Sequence, residues 1–197
     1  MSSSIHPTAI VEDDVSIGYG TAIWDNVHLR GPSSIGSDCI VGEKTYIAYG
    51  VSIGDRVKIN AQVYICTGVT IESGTMVSAG VIFTNDRRPR ATTPDLSALL
   101  PSEPDESTEK TVVKEGATIG AGAVIGPGLT IGRFAMIGMG SVVTKSVGDH
   151  VLVRGNPARP VGYVCSCGGQ LEEDAETVCL NCGRDFRMTG EAVEEIV

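Results

Sequence analysis

Aromatic residues make up 5% of the chain, and there are three histidines and a single tryptophan. No segment approaches the ~20 consecutive apolar residues that a membrane-spanning helix needs. Basic residues are also scarce: 15 Lys and Arg face 24 Asp and Glu, for a net charge of −9. That balance argues against nucleic acid or an anionic membrane as the main partner. The start, Met1 to His6, lacks the basic residues and apolar run of an export signal, which predicts a cytoplasmic protein. In a reducing compartment the six cysteines do not read as a disulfide set. With so few aromatic rings, a core has to be filled by aliphatic and small residues. Length allows one domain and a small appendage.

What is abundant is order at a period of six. An aliphatic residue or Phe falls at Ile5, Val11, Ile17, Ile23, Leu29 and onward through Ile65, Ile71, Val77 and Phe83, fourteen hexads without a slip. Four residues after each comes a small or β-branched one, such as Ala9, Val15, Thr21, Val27, Cys39, Thr45, Val63 and Val81, apart from Arg87 in the last hexad. Six matches neither an amphipathic helix nor an alternating strand; it is the hexapeptide repeat of a parallel β-helix. Three hexads make one coil of a triangular prism. The large residue fills the interior and the small one sits inside near a corner. Glycines recur at or beside the corners (Gly18, Gly36, Gly54; Gly20, Gly50, Gly68, Gly80), where tight turns require φ > 0 or close backbone approach. An ordinary all-β sandwich would not hold one strict period over such a length.

The pattern breaks at Pro89 and resumes at Val113, Ile119, Ile125, Ile131, Ile137 and Val143. The break, residues 89–112, is polar, acidic and proline-rich, and is too long for a plain connection. A chain that leaves and rejoins the same coil stack predicts a loop projecting from the prism, where binding groups usually sit. The expected division is a β-helix over 1–148, an exit segment over 149–164, a Cys module over 165–190 and an unassigned tail over 191–197, with residues 1–4 as a loose tip. Cys165 and Cys167, each near a Gly, and Cys179 and Cys182 space like a zinc ribbon, whose tight knuckles aim four thiolates at one structural metal. Cys39 reads as interior packing and Cys66 as an outward residue. Trp24, Tyr46, Tyr64 and Ile82 also point outward, and His28, Tyr46, Tyr64 and Ile82 form one vertical column.

Several motifs resemble the left-handed β-helix acyltransferases, and among them the N-acetyltransferases of nucleotide-linked 3-amino sugars, such as the UDP-2-acetamido-3-amino-2,3-dideoxy-glucuronate enzymes. They are Ile5–Ile10, Ala22–Trp24, Thr84 and Asn85 with Pro89 and Arg90, Gly140–Lys145 and Gly155–Arg159. The resemblance implies a left-handed prism, a homotrimer with active sites between neighbours, acetyl-CoA along the groove, and a nucleotide sugar near the loop, for surface polysaccharide biosynthesis. It points to Asn85 and His28 as catalytic residues, and to Asn85, Asp86, Arg87, Arg90 and Tyr64 as substrate ligands. Gly122, Ala123, Gly140 and Ser141 would cradle CoA with their backbone amides, and Lys145, Arg154 and Arg159 would meet its phosphates. Asp25 stands where the family often has a histidine, which puts a two-histidine relay in doubt. Amine attack on a thioester chiefly demands alignment and oxyanion donors. Alternatives on the same fold are an O-acetyltransferase, which would need a clearer base, and a non-catalytic interaction module. A β-helix carbonic anhydrase would need three metal-binding histidines, and His6, His28 and His150 are poorly placed for that.

Overall fold

A computed structural model describes residues 3–106, 108–189 and 192–196. Two- and three-residue strands, each covering one flat side of a coil, stack into three parallel sheets. The first wall runs from Ser4–Ile5 through Ala22–Ile23 up to Met136–Ile137 and Val151–Gly155. The second runs from Ile10–Val11 to Val142–Val143, and the third from Val15–Ile17 to Thr130–Ile131. Partners are eighteen residues apart, as in Tyr46↔Tyr64 and Ile65↔Ile47, until the insert raises one step to Ile82↔Val124. The prism and its period are therefore as read from the hexads.

Leu29, Ile47, Ile65, Phe83 and Ile125 are fully buried along the inside of the second wall. At the small position, polar groups stay satisfied by the corners: Thr21 Oγ1 donates to Gly36 O at 2.7 Å and accepts from Cys39 N at 3.0 Å. Thr45 Oγ1 likewise donates to Asn60 O. Cys39 is inside, as expected. Most corners turn through a left-handed residue, Pro32 being an exception. Between the first and second walls the column reads Asn26, Lys44, Gln62, Gly80, Gly122, Gly140, all at positive φ.

The insert leaves the corner between the second and third walls after Phe83 and rejoins at Thr111. It is not shapeless: Thr92 and Leu99 form an antiparallel bridge, and Asp95 accepts from Thr93 and Ser97. Three expectations are corrected at the ends. Ser4 is already in a strand, paired with Ala22, so the loose tip is shorter; Met1 and Ser2 lie outside the described residues. The chain also stays with the prism beyond residue 148. Val147 bridges Ile131, and Val151–Gly155 pairs with Met136–Ile137. The last coil is two residues shorter than the rest, with Leu152 opposite Met136, so its valines fall off the hexad register. Third, the expected tail is a strand. Ala192–Ile196 pairs antiparallel with Asp185–Thr189, and Val193 is buried against Phe186 and Cys179; Gly190, Glu191 and Val197 lie outside the described residues.

Candidate active site

Register places a column along the corner where the insert departs: Gly31, Tyr49, Thr67, Asn85, Pro127 and Lys145. The insert arches over it and encloses a cleft of about 450 Å³, lined by Tyr49, Thr67, Asn85, Asp86, Arg90 and Glu103 among others. Asn85 is half-buried, and its side-chain amide makes no hydrogen bond among the described residues. Asp86 is exposed and accepts from the Arg88 amide at 2.7 Å.

Arg87 lines the cleft but is tied to the stem of the insert. Its Nε donates to both Glu109 carboxylate oxygens, at 2.7 and 3.0 Å, and its Nη2 donates to Pro127 O at 2.9 Å. This joins the two ends of the insert to each other and to the prism. Gly128, at φ +69, leaves room for the junction, since a Cβ there would strike Glu109. Arg90 donates to its neighbour Pro89 O and is otherwise open to the cleft.

The two residues expected to be catalytic do not meet. His28 lies three coils below the level of Asn85, about 14 Å along the axis at the usual strand spacing. Its Nε2 faces Glu12 Oε1 at 3.0 Å, beside Arg30 at 2.7 Å from the same oxygen. The hydrogen bond from Arg30, opposed by partial burial and followed by that of His28, holds the Glu12 carboxyl below its ordinary range. The Tyr46 hydroxyl and then Glu12 raise that of Arg30. Tyr64 is also outside the cleft. It lies on the second wall, 46% exposed and stacked on Tyr46 with ring centroids 5.2 Å apart, and Tyr46 meets His28 edge-on at 5.4 Å. The aromatic column is real, but it is a wall and not part of the pocket.

The expected amide cradle needs correction as well. Gly122 N donates to Ala79 O, Ala123 N to Gly120 O, Gly140 N to Ala121 O and Ser141 N to Gly138 O, so all four donors are used within the prism. Ala123 and Ser141 point inward with no exposed surface, and Ser141 Oγ accepts from Gly155 N. Gly122 and Gly140 are different. No atom lies within 4 Å of where a Cβ would be at either, nor at Gly80. With Ala79 and Ala121 beside the lower two and the exposed Met139 beside Gly140, they form a largely small-residue trough at the corner opposite Asn85 across the second wall. Arg154 and Arg159 face each other across a hairpin at the top of that corner, both exposed. Lys145 lies on the other corner, above Asn85.

Cys66 is only 4% exposed, which corrects its reading as an outward residue. Burial pushes its thiol up to about 11, so it is protonated at neutral pH and unsuited to carry an acyl group. The four C-terminal cysteines do converge: Cys165, Cys167, Cys179 and Cys182 have their sulfurs within 4.8 Å of one another, with closest pairs at 3.5 and 3.6 Å. Tyr49 and Thr67 were missed in the sequence, although the period of eighteen puts both directly under Asn85.

Residues 110–145 match the family described as bacterial transferase hexapeptide (six repeats), and residues 32–67 match the hexapeptide repeat of succinyl-transferase. The chain is thus a parallel β-helix of hexapeptide repeats, and the repeat type implies the left hand. Among characterised proteins it resembles the dTDP-3-amino-3,6-dideoxy-alpha-D-galactopyranose 3-N-acetyltransferase of Aneurinibacillus thermoaerophilus, with 40% identity over 93 residues. That stretch covers 47% of this chain and 48% of the relative, so the chain matches about half the length of that enzyme. Similar solved structures include PerB of Caulobacter crescentus with CoA and GDP-perosamine, at 24% identity, 82% of this chain, 58% of that one and a TM-score of 0.47. Another is AntD, an N-acyltransferase of Bacillus cereus with dTDP and 3-hydroxybutyryl-CoA, at 26% identity, 82% and 79% coverage and a TM-score of 0.48.

Proposed function

We propose that the chain transfers the acetyl group of acetyl-CoA to the amine of a nucleotide-linked amino sugar, and that the cleft under the insert holds the acceptor. The observation that carries this reading is the 40% identity to a nucleotide-sugar 3-N-acetyltransferase. The Asn85 amide, without a hydrogen bond among the described residues, lines the cleft beneath the insert and agrees with it. In the proposed reaction the amine lone pair attacks the thioester carbonyl, the C–N bond forms, and the C–S bond breaks. The thiolate leaves with the pair and takes the amine proton. Asn85 holds the amine in line, and alignment supplies most of the acceleration. A hydroxyl acceptor would need a base within hydrogen-bond reach; the cleft offers carboxylates such as Asp86 and Glu103 but no histidine, and a carboxylate is a weak base for a hydroxyl, which favours the amine.

The active unit in this reading is a homotrimer with its threefold axis parallel to the prisms. One copy's trough of Gly80, Gly122 and Gly140 then faces the next copy's corner bearing Asn85 and Lys145. Gly80 is level with Asn85, so the acyl end of CoA lies low in the trough and its phosphates lie near Arg154 and Arg159. A uniform ammonium-to-acetamide conversion is read by thiol release from acetyl-CoA with a panel of amino-sugar nucleotides. Turnover that Asn85→Ala abolishes with assembly intact supports the assignment. Acetylation of a hydroxyl, or no turnover across the panel, defeats it.

The Cys module is proposed to hold one structural zinc. A tetrahedral site with Zn–S of about 2.3 Å sets sulfurs about 3.8 Å apart, and the observed 3.5–4.8 Å brackets that value. Arg184, 3.1 Å from Glu195 and hydrogen-bonded to Ser166, places a cation beside the sulfurs and offsets thiolate charge. Elemental analysis finding one zinc per chain, lost in Cys179→Ser, supports the site; metal-replete protein without zinc removes it.

A further inference from the structure

The joint between the Cys module and the prism is more specific than a tether requires. The strand Ala158–Val164 turns back antiparallel on the last prism strand and runs directly into Cys165. Its final residue is held twice by one partner. Val164 N donates to His150 O at 2.8 Å, and His150 Nδ1 meets Val164 O at 2.9 Å. His150 is itself part of the coil stack, since its amide donates to Arg133 O at 2.8 Å. Its ring is wedged between the two bodies. Phe134 of the preceding coil lies 5.3 Å away, and Phe186, the fully buried centre of the module, meets it edge-on at 5.4 Å.

Neighbouring residues make space for this wedge. A Cβ on Gly116 would run into the Phe134 ring, so glycine at that corner lets the ring lie over the prism. His150 has φ +61, a left-handed conformation that a β-carbon disfavours, at the third corner in line with Gly116 and Phe134. Phe186 shares its cluster with Cys165, Cys179, Leu171 and Val193. The sulfurs, the module's core ring, His150 and the last coil are therefore one contiguous packed unit. The last prism strand would otherwise be an exposed sheet edge; the returning strand Ala158–Val164 covers it, and Gln170–Leu171 of the module pairs onto that strand in turn.

We propose that the Cys module is a metal-locked cap on the open end of the β-helix, with His150 as the positioning residue through which the thiolate cluster and the last coil hold each other. The inference rests on zinc binding by the four cysteines and adds that the binding is coupled to the prism. Coupling is reciprocal: if metal stabilises the joint, breaking the joint weakens metal binding by the same factor. Two ring contacts of ordinary strength set the expected size at about tenfold.

The test uses the full chain loaded with zinc. A chelator is titrated in while zinc release is followed with a chromophoric indicator and amide hydrogen exchange is read along the chain. One zinc should leave per chain, and amides of residues 147–164 should lose at least about tenfold of their protection as it leaves, with earlier coils unchanged. His150→Asn, which tolerates the left-handed backbone and keeps a donor but removes the ring, should bind zinc about tenfold more weakly in the same competition. Stoichiometric zinc release with unchanged protection over 147–164, or unaltered zinc affinity in folded His150→Asn, overturns the cap and leaves the metal site standing. Absence of bound zinc removes both.

Discussion

The bare glycine trough permits a sharp test at Gly140. Its φ is +66, and a Cβ there would meet nothing within 4 Å. Gly140→Ala therefore costs the fold only the left-handed penalty of an L-residue, about 1–2 kcal/mol. For a chain of this size that lowers Tm by about 2–8 °C. The same corner column shows that the fold accepts side chains in this conformation, because Lys44 and Gln62 adopt φ of 58 and 59. Glycine at 80, 122 and 140 is thus not demanded by the turn. If CoA lies against this strip, the added methyl intrudes on a packed contact, which costs about 1–3 kcal/mol. The KM for acetyl-CoA should then rise at least about fivefold, while the KM for the amine stays put. Steady-state thiol release with each substrate varied in turn reads both. An unchanged acetyl-CoA KM in Gly140→Ala that shows the expected Tm shift would refute the trough as the donor site. The converse control is Lys44→Gly, which relieves strain in the same column and should raise Tm without touching either KM.

The Arg87–Glu109 pair is half-exposed, so a double-mutant cycle with Arg87→Ala and Glu109→Ala should return a coupling of no more than about 1 kcal/mol in stability. Either variant should nevertheless open the insert to protease, and unchanged cleavage would show that the pair does not hold it. Burial of Cys66 raises its pKa to about 11, so the folded state binds its proton more tightly than the unfolded one. The stabilisation is complete below the unfolded value near 9 and is lost as pH rises from there to about 11; alkylation of Cys66 at pH 8 should wait for unfolding, and prompt labelling would contradict its burial. Ile125→Ala empties a fully buried site on the prism axis and should cost about 2–5 kcal/mol by chemical denaturation.

The prism was legible because every hexad repeats the same physical demand: one large residue inside, one small residue inside at the corner. A period of eighteen also contained more of the site than the residues first drawn from it. Tyr49, Thr67, Asn85 and Lys145 share one corner, whereas Gly122 and Gly140 share another, so counting by coil separates two sets that a motif-by-motif reading combines. Counting likewise places His28 three coils below Asn85. What the repeat could not show was contact between segments outside it. Arg87 finds Glu109 only because the insert folds back on its own stem, and nothing in the local spacing of either residue signals that. The last coil escaped because its shortened step takes Val147, Val151 and Val153 out of the six-residue register, although all three are buried with the rest of the core.

The same distinction explains why the sequence leaves the tail unassigned and puts Cys66 on the outside. A strand with one inward apolar residue, Val193, carries too little pattern to announce itself; it exists because the Cys module offers Phe186 to pack against and Asp185–Thr189 to pair with. Counted as outward in the repeat, Cys66 in fact packs with the prism core beside the corner from which the insert departs, with Ala48 equally buried one coil below it. The residue after the large interior one can thus turn into the core at a corner, which alternation along a strand does not predict. On this prism the departures from the repeat cluster at the insert, the bare trough and the capped end. Those are the three places where the proposed chemistry and the proposed metal lock are sited, because a regular coil stack satisfies its own backbone and leaves little else to act with.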